Sequence, residues 1–462
     1  MIDVVNLIKH VIHMVVKVTM SQVKKDWFAI SEKLHKFYGG KVEIVPKCPV
    51  TNIDYFAIWY TPGVAEPCRK IHSGGEDLTY DYTWRWNAAA VISDGTRVLG
   101  LGNIGAAASL PVMEGKALLF KYLGGVDAFP LVIKERDPDK FIYIVKALEA
   151  SCGAVNLEDI ESPKCFYILD KLQQILDIPV WHDDQQGTAL VIIAALMNAL
   201  KIVDKKIDRV KISLIGSGAA NIATYRYLKV TGADPKNILA VDSKGIIYRE
   251  REDVESLQKE NPWKYQIAVE SNAEGVKGDI AESLKGADVV IAASKPGPGV
   301  IKKEWVKEMN KDAIVFAAAN PVPEIWPWEA KEAGARIVAT GRSDFPNQIN
   351  NSVGFPAVFR GVLTVRARKM TDEMFVAAAH AIAKYSEETG IHEERIIGSM
   401  TETELYVREA IAVAEKAMEL GYARRKISRD ELEHEVRALI ERPNKYMEMA
   451  LKAGLIATPP PL

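Results

Sequence analysis

Short apolar runs rich in β-branched residues alternate with helical segments through the second half of this chain of 462 residues. Strands that crossover helices bury on both faces of a sheet have this pattern. It therefore predicts a doubly wound parallel sheet of the Rossmann-like α/β class. The predicted strands are Val210–Ile215, Ile238–Asp242, Val289–Ser294, Ile314–Asn320 and Arg336–Thr340.

The chain on either side of this pattern has a different character. Between residues 55 and 131 it is rich in glycine, proline and aromatic residues, with a strand-like run at Ala88–Ile92. After Phe359 it has the periodicity of amphipathic helices to its end. The remaining predicted helices are 26–38, 141–151, 163–176, 188–203 (with Thr188 as its N-cap), 372–387, 401–420 and 428–441.

These differences predict three parts, and the length suits two to four domains of ~150 residues. We expect an α/β substrate domain over residues 21–182 and a Rossmann-like cofactor domain over 183–351. A C-terminal helical segment over 352–462 is expected to pack back on the first domain.

Two glycine strings resemble the phosphate-binding turn of a dinucleotide site. After the first, Gly100–Gly105, Pro111 is expected to interrupt the helix that must follow. The second, Gly216–Asn221, follows the run Lys211–Ile215 and opens an unbroken helix, Ala219–Val230. Such a string binds pyrophosphate only between a strand and a helix N-terminus. The second string is therefore the predicted cofactor turn, made of Gly216, Ser217, Gly218, Ala219, Ala220 and Asn221, the last replacing the usual third glycine.

The cofactor preference stays open at this stage. Asp242 ends the next predicted strand, where an acidic side chain accepts from the adenosine ribose and favours NAD. Ser243 and Lys244 follow at once, with Arg251 close behind, and such cations neutralise a 2′-phosphate. The site is therefore predicted to take NAD or NADP, with Ser294 and Asn320 at other strand ends among its contacts.

Two acidic pairs, Glu158-Asp159 and Asp183-Asp184, flank a short stretch of the chain. The second pair directly follows the apolar run Ile178–Trp181, a predicted buried strand. Burying two adjacent carboxylates at such a strand end costs free energy, so they are expected there only if they bind a cation or act on a reacting group. Two such pairs close in sequence indicate a hard metal ion with oxygen ligands.

Three residues in the first part have side chains suited to acid–base chemistry or to binding a carboxylate. Tyr60 lies in the tight turn Tyr60–Gly63, where it is either packed or aimed into a cleft as a general acid. Arg97 follows a turn and is either solvated or an inward clamp for a carboxylate. Lys116 borders an apolar helix, where burial is expected to lower its pKa and make it a usable base. The alternative for Lys116 is a side chain that reaches out to solvent.

Two asparagines follow predicted strands of the cofactor domain. Asn320 stands at the carboxyl end of its strand, where ligands of open α/β sheets bind. Asn351 follows the next strand end. Either residue can cap a turn, but their positions favour contact with a substrate.

The composition restricts the class of protein. Hydrophobic residues make up 48% and charged residues 26%, as in an ordinary globular protein. The net charge of −2 argues against nucleic acid or an anionic membrane as an obligatory partner. Four scattered cysteines predict reduced thiols and a cytoplasmic location. No apolar run reaches the ~20 residues of a membrane span.

The first twenty residues are apolar, but Lys9, His10, His13 and Lys17 interrupt them. They lack the apolar core and the small-residue cleavage site of a signal peptide. An alternative is that translation starts at Met20, which would make residues 1–19 an extension.

Taken together, these motifs resemble those of the malic enzymes, particularly the shorter prokaryotic form. The matching blocks run in order from about Tyr55 to Gly361, so the resemblance covers most of the chain. Two positions depart from the family's usual residues: Asn221 in the second glycine string, and Ala357, where a glycine is common. Neither residue takes part in the proposed chemistry. The blocks are Tyr60–Ala65, Ser93–Lys116, Glu158-Asp159, Asp183–Ala189 and Asn320-Pro321 through Asn351.

The resemblance implies oxidative decarboxylation of (S)-malate to pyruvate and CO₂ with NAD or NADP and Mg²⁺ or Mn²⁺, and oxaloacetate decarboxylation as a further activity. It implies Lys116 as general base, Tyr60 as general acid and Asp183 as the acid that tunes the lysine. It also implies a homodimer or larger homo-oligomer. By the same resemblance, Glu158, Asp159 and Asp184 are metal ligands, and Arg97, Asn320 and Asn351 bind malate.

Two alternatives to this reading remain open. One is a related dehydrogenase, or a decarboxylase without redox activity. The other is a nucleotide-binding regulatory protein that has lost the chemistry, although all the required residue types are present.

Overall fold

The computed structural model describes residues 26–342 and 344–460, so the expectations about residues 1–19 and Met20 lie outside it. The described chain forms a large compact unit, Val45–Lys445, and a small terminal unit from residues 26–44 and 446–460. In the small unit the Tyr38 hydroxyl donates to the carbonyl of Ala457 at 2.8 Å. The helix Trp27–Tyr38 in this unit has no buried residue.

The first sheet of the large unit has four parallel strands in the order β2-β1-β3-β4. Ile92 pairs with Leu157, and Leu157 pairs with His182, so β1, β3 and β4 end at one edge. The two acidic pairs follow β3 and β4, which makes them neighbours in space. The strands are β1 (Ala88–Ser93), β2 (Asp127–Val132), β3 (Ala154–Leu157) and β4 (Val180–His182).

The second sheet has the order β10-β9-β8-β5-β6-β7, and each strand except β7 runs parallel to its neighbours. Ile215 pairs with Val241 and Ala292, so the glycine string, Asp242 and Ser294 emerge at one edge. The predicted Rossmann-like sheet is confirmed, with most strands shorter than expected. Its strands are β5 (Ile212–Ile215), β6 (Ile238–Asp242), β7 (Gly245–Ile246), β8 (Val289–Ala292), β9 (Ile314–Ala317) and β10 (Ile337–Thr340).

Helices pack against both sheets and form the C-terminal part, in agreement with the predicted α/β class. They are α1 (Trp27–Tyr38), α2 (Asp54–Trp59), α3 (Ala65–Gly74), α4 (Thr79–Tyr82), α5 (Ala106–Gly124), α6 (Pro138–Ala147), α7 (Lys164–Ile175), α8 (Thr188–Ile202), α9 (Ala219–Val230), α10 (Val254–Glu260), α11 (Pro262–Glu270), α12 (Ile280–Leu284), α13 (Lys303–Val306), α14 (Pro327–Glu332), α15 (Phe355–Thr364), α16 (Asp372–Glu388), α17 (Thr403–Glu419) and α18 (Arg429–Lys452).

Two local expectations were wrong. Pro111 does not interrupt a helix after the first glycine string, because it lies inside the continuous helix α5. Thr188 is not the N-cap of α8, because its own backbone is already helical and a π-helical turn, Asp183–Gly187, precedes it.

The turn and α8 together make a 20-residue run, Asp183–Ile202, apolar enough to cross a membrane. Its most apolar stretch is 78% buried within the protein, as expected of a core helix.

The C-terminal helices contact both sheet layers. In α15 the rings of Phe355 and Phe359 lie 4.6 and 4.7 Å from that of Phe120 in α5. In α16 the ring of Phe375 stacks on Tyr227 of α9. Within Val45–Lys445 these contacts join the two sheets into one compact unit. The predicted domain boundaries at residues 182 and 351 therefore stay predictions.

Candidate active site

Three carboxylates meet where β3 and β4 end. Glu158, Asp159 and Asp184 each offer an oxygen, and these oxygens lie within 4.8 Å of one another. The backbone N–H of Asp159 donates to Asp184 Oδ2 at 2.8 Å, which ties the two acidic pairs together. Asp159 has a φ of 54°, a left-handed conformation that aspartate tolerates better than most residues.

Lys116 lies beside this cluster on the buried face of α5. Its Nζ donates to Asp183 Oδ2 at 2.5 Å and lies 3.1 Å from Glu158 Oε1. The same atom stands 4.3 Å from the centre of the Phe355 ring. The lysine is 7% exposed, so it does not reach out to solvent.

The expectation that burial lowers the pKa of Lys116 was wrong in its outcome. Burial does act in that direction, but the charges of Asp183 and Glu158 outweigh it and raise the pKa above its usual value. The sequence argument considered the apolar helix and did not include the carboxylates that the fold brings to it.

The charged form of these three carboxylates is disfavoured in the buried cluster. Burial and the neighbouring acids hold the pKa of Glu158 well above its ordinary value, although Lys116 opposes this. Burial and Asp184 raise the pKa of Asp159 to about 8. Burial also raises the pKa of Asp184. A single lysine therefore does not offset this group of acids.

These residues fit a hard divalent cation. Three clustered carboxylate oxygens are the donor type that Mg²⁺ and Mn²⁺ prefer. Within the described residues, Asp159 Oδ2 is buried without a hydrogen-bond partner. Buried carboxylate oxygens are normally paired, so this atom has room for a cation.

The two carboxylate oxygens of Asp183 bond to Trp181 and Lys116, and Asp183 is not one of the three clustered carboxylates. Its Oδ1 accepts from Trp181 Nε1 at 3.0 Å while its Oδ2 faces Lys116. A side chain at Gly187 would place Cβ 1.9 Å from Asp183 Oδ1, so the turn requires glycine there. The same Cβ would come within 3.3 Å of Asn351, which places this residue against the turn.

Arg97 contacts the acidic cluster, whereas the contacts of Asn320 are with two glycine-containing loops. The Arg97 backbone N–H donates to the carbonyl of Asp159 at 3.0 Å, and its positive charge lowers the pKa of both Asp159 and Asp184 against the effect of burial. Asn320 packs against Gly341, because a Cβ there would meet its Nδ2 at 2.6 Å. The Asn320 carbonyl also faces Gly100. The absence of a side chain at Gly100, in the first glycine string, therefore lets this loop and the Asn320 loop approach closely.

Tyr60 is not part of the buried cluster. It is 72% exposed, directly after α2, and within the described residues its hydroxyl makes no hydrogen bond. The structure therefore does not bury this predicted acid beside Lys116.

The second strand edge carries the cofactor turn. Gly216 has a φ of 94°, and a Cβ there would meet the carbonyl of Ala293 at 2.6 Å. A Cβ at Gly218 would meet nothing within 4 Å, which leaves open space for a ligand at the N-terminus of α9. Asn221 Nδ2 donates to the carbonyls of Ile215 and Gly216 at 2.9 and 3.0 Å. Asn221 thus joins helix to strand by hydrogen bonds where a glycine usually allows close packing.

Asp242 is already engaged at the end of β6. It accepts from both terminal nitrogens of Arg251, at 3.0 and 2.9 Å, from Lys264 Nζ at 3.2 Å and from the Lys244 N–H at 2.9 Å. Burial opposes ionisation, but these donors lower the pKa of Asp242 overall. Among the described residues, the Ser243 hydroxyl makes no hydrogen bond to Asp242. The negative charge of Asp242 is therefore compensated before any cofactor binds.

Sequence reasoning missed Glu324, which is fully buried. Its Oε1 accepts from the N–H and hydroxyl of Ser294, at 2.8 and 3.0 Å, and its Oε2 accepts from the N–H of Ala319 at 3.1 Å. It therefore holds the ends of β8 and β9 together, next to Asn320. No signal in the sequence distinguishes it from any other loop glutamate.

Asn156 and His182 were also missed near the acidic cluster. Asn156 Nδ2 donates to Glu158 Oε2 at 2.9 Å. The two residues are two apart at the end of β3, so recognition of that strand would have placed them on one face. His182 Nδ1 lies 3.7 Å from Asp184 Oδ2, and burial lowers the pKa of His182 to about 4.

A Rossmann-like sheet with a phosphate-binding turn, in one unit with a buried cluster of carboxylates around a lysine, is typical of an α/β oxidoreductase that uses a nicotinamide cofactor. Two family models match: malic enzyme, N-terminal domain, over residues 39–173, and malic enzyme, NAD binding domain, over 185–418. The chain belongs to the malic enzyme family.

Known relatives agree with this membership. The NAD-dependent malic enzyme of Geobacillus stearothermophilus is 48% identical over 84% of this chain and 78% of its own length. The NADP-dependent malic enzyme of Escherichia coli is 43% identical over 84% of this chain and 52% of its own length. The crystal structure of the Entamoeba histolytica malic enzyme superposes with a TM-score of 0.90 and 46% identity, covering 94% of this chain and 90% of that one.

Proposed function

We propose that this protein oxidises and decarboxylates (S)-malate to pyruvate and CO₂ in a reaction that depends on a divalent metal ion, at the cluster formed by Lys116 and the two acidic pairs. The observation that supports this most directly is the buried Lys116 against Asp183 Oδ2, beside three carboxylates with converging oxygens. Family membership supports malate as substrate and NAD or NADP as oxidant.

Glu158, Asp159 and Asp184 hold Mg²⁺ or Mn²⁺ in this scheme. When bound, such an ion acts as a Lewis acid at the malate C2 oxygen, and the nicotinamide accepts the hydride from C2. The positive charge of a bound cation would oppose the carboxylates that raise the pKa of Lys116, which would favour the neutral lysine that a base requires.

Lys116 takes the proton of the C2 hydroxyl in the oxidation step. Asp183, bonded to the ammonium, fixes its position and stabilises its charged form. The C3–C4 bond of the resulting β-keto acid then breaks, CO₂ leaves, and C3 takes a proton to complete pyruvate. The family resemblance gives this proton to Tyr60, whose side chain is exposed in the single chain. The same decarboxylation step would act on added oxaloacetate.

Arg97, Asn320 and Asn351 are the proposed malate-binding side chains. Arg97 is exposed at the rim of the acidic cluster, where its guanidinium can pair with a malate carboxylate. Asn351 lies against the turn that carries Asp183 and Asp184. In this proposal the three side chains hold a small dicarboxylate so that the hydride path and the breaking carbon–carbon bond are aligned.

The cofactor is proposed to bind over Gly216–Asn221, with its adenosine ribose towards Asp242. Because Arg251 and Lys264 compensate Asp242, its charge does not repel a 2′-phosphate, and Lys244 is 65% exposed nearby. We therefore propose that the site accepts both NAD and NADP.

The test is product analysis with the purified protein, (S)-malate and either cofactor. The expected result is equal amounts of pyruvate and NAD(P)H in the presence of Mn²⁺, and neither product with excess chelator. Release of lactate without NAD(P)H, or full activity in the chelator, would refute the proposed reaction.

A further inference from the structure

A groove of about 480 Å³ opens between α8 and α16. The loop after α8 and Thr231 at the end of α9 complete its wall. Small-molecule sites in proteins commonly occupy ~300–1,000 Å³, so the groove has the size of a ligand site. Met197 in its wall lies roughly 20 Å beyond Asp184 along one continuous helical run, at ~1.5 Å per residue. The groove is therefore distinct from the candidate active site.

The floor of the groove is apolar. Leu196 is fully buried, and Ala383 is 4% exposed. An alkyl chain on this floor would leave water, which is favourable in proportion to the apolar area removed. The apolar residues that line the groove are Ile193, Leu196, Met197, Leu200, Ile207 and Ala383.

Basic side chains outnumber acidic ones around the groove. Two of the lysines are already paired. Lys201 Nζ lies 2.6 Å from Glu387 Oε2, and Lys205 Nζ lies 2.8 Å from Asp288 Oδ1. Glu387 is the acid among the lining residues, so Lys201 compensates its charge. The charge of Lys384 is therefore left in excess at the rim.

Lys384 is placed to receive an anion. Its side chain is 75% exposed, and its ion pair is with Glu388 on the same helix, at 4.0 Å. Such surface pairs contribute little, so the ammonium can turn to another anion. His380 also lines the groove, one helical turn before Lys384 on the same face of α16. Two basic side chains thus border the apolar floor.

We infer that this groove binds a small amphipathic anion, a saturated fatty carboxylate of medium length such as octanoate. Its chain lies on the apolar floor and its carboxylate pairs with Lys384. The size of the groove favours this occupant over a second protein, because a stable protein interface involves ~20–30 residues on each side. The inference does not depend on the proposed reaction, since binding is measured without turnover.

Calorimetric titration of the purified protein with hexanoate, octanoate and octylammonium tests the two halves of the site. Burial of one methylene changes Kd about four-fold, so octanoate should bind about 15-fold more tightly than hexanoate. Octylammonium has the same chain with the opposite charge and should bind at least about ten-fold more weakly than octanoate. Equal affinities for hexanoate and octanoate, or for octanoate and octylammonium, would overturn the inference.

Lys384→Glu tests the place of the site. We expect it to weaken octanoate at least about ten-fold and to keep the wild-type thermal unfolding midpoint, because this side chain is exposed. Lys146→Glu is the matched control, since it makes the same change of charge at an exposed position of α6 outside the groove. It should leave the affinity for octanoate unchanged.

Two other occupancies have their own signatures. Octanoate that binds at Arg97 of the proposed malate site is displaced by malate and is unaffected by Lys384→Glu, which would overturn the inference. If octanoate instead splits an oligomer of this chain in sedimentation, the groove is a contact between copies and the inference is wrong. The absence of saturable heat with octanoate would refute it outright.

Discussion

At the scale of single residues, the chemistry depends on how a few carboxylates divide their roles. Asp183 and Asp184 are adjacent in the chain, yet Asp183 bonds Lys116 and Trp181 while Asp184 bonds the Asp159 backbone. The π-helical turn that begins at Asp183 allows this separation, since such turns change the direction of successive side chains.

Asp184→Ala should raise the Mn²⁺ concentration for half-maximal malate turnover by at least about 100-fold. Loss of a group that only supports a metal ligand costs 10–100-fold in affinity, and loss of a ligand costs more. The measurement is a Mn²⁺ titration of initial rates. Asp170→Ala is the control, because Asp170 bonds Trp263 away from the cluster. Identical titrations for Asp184→Ala and wild type would exclude Asp184 as a ligand.

Lys264→Ala should lower kcat/KM for NADP about ten-fold and leave that for NAD within a few-fold. The reason is that Lys264 faces Asp242, where a 2′-phosphate is expected, and a hydrogen bond to a charged group contributes ~1.5–3 kcal/mol. Initial rates and NADPH fluorescence titration both measure this. Lys285→Ala, on the surface beside Glu282, is the control. Equal losses with both cofactors would contradict the assignment.

The sequence was sufficient to single out both acidic pairs, which the structure brings together, because adjacent carboxylates beside apolar runs are conspicuous. The role of Lys116 came from the family resemblance and stays a prediction. The sequence was not sufficient for the pKa of Lys116, which depends on Asp183, 67 residues away in the chain. Glu324 was missed for a similar reason: its three donors belong to two loops that only the folded sheet brings together.

At the scale of structural elements, the parallel strands decide where the chemistry occurs. The predicted strands of the second sheet were recognisable because they are short, apolar and separated by helices. In the first sheet, β2 and β3 were not predicted, since β2 includes Pro130 and β3 is only four residues long. Pro111 misled the prediction for α5, because the helix continues through this proline in its second turn.

Glu324→Gln should raise KM for NAD(P) about ten-fold, a change of ~1.4 kcal/mol, with kcat and the Mn²⁺ titration little altered. An amide supplies one acceptor oxygen where the carboxylate supplies two, so the ends of β8 and β9 lose a common anchor. Steady-state kinetics measure this, with thermal unfolding to exclude general damage. Glu329→Gln is the matched control, because Glu329 only caps α14. An unchanged KM for NAD(P) would show that Glu324 has no positioning role.

At the scale of the whole molecule, the helices after residue 352 join the two sheet layers, and they bury one acid at a cost. Glu409 in α17 is fully buried, and neither of its oxygens has a hydrogen-bond partner within the described residues. Burial holds the pKa of Glu409 well above its ordinary value of 4.5. The amphipathic pattern predicted the helix but not the placement of this glutamate on its inner face.

Glu409→Gln should stabilise the protein more at pH 8 than at pH 5. Below pH 4.5 both the folded and the unfolded chain keep the proton, so its contribution is unchanged there. As the pH rises, the unfolded chain releases the proton before the folded one, and wild-type stability falls. Thermal unfolding at the two pH values measures the difference. Glu419→Gln on the same helix is exposed and should show no such trend. A gain that is equal at both pH values would contradict this account.

The most direct measurement of the central claim is malate turnover by Lys116→Ala at saturating Mn²⁺ and cofactor. One general base contributes ~10²–10⁴-fold, so we expect a loss of that size, with NADPH binding by fluorescence unchanged. Lys121→Ala, five residues further along α5 and paired with Asp127 at the surface, should keep wild-type turnover. Near wild-type turnover by Lys116→Ala would show that the buried lysine is not the base and that the chemistry occurs elsewhere.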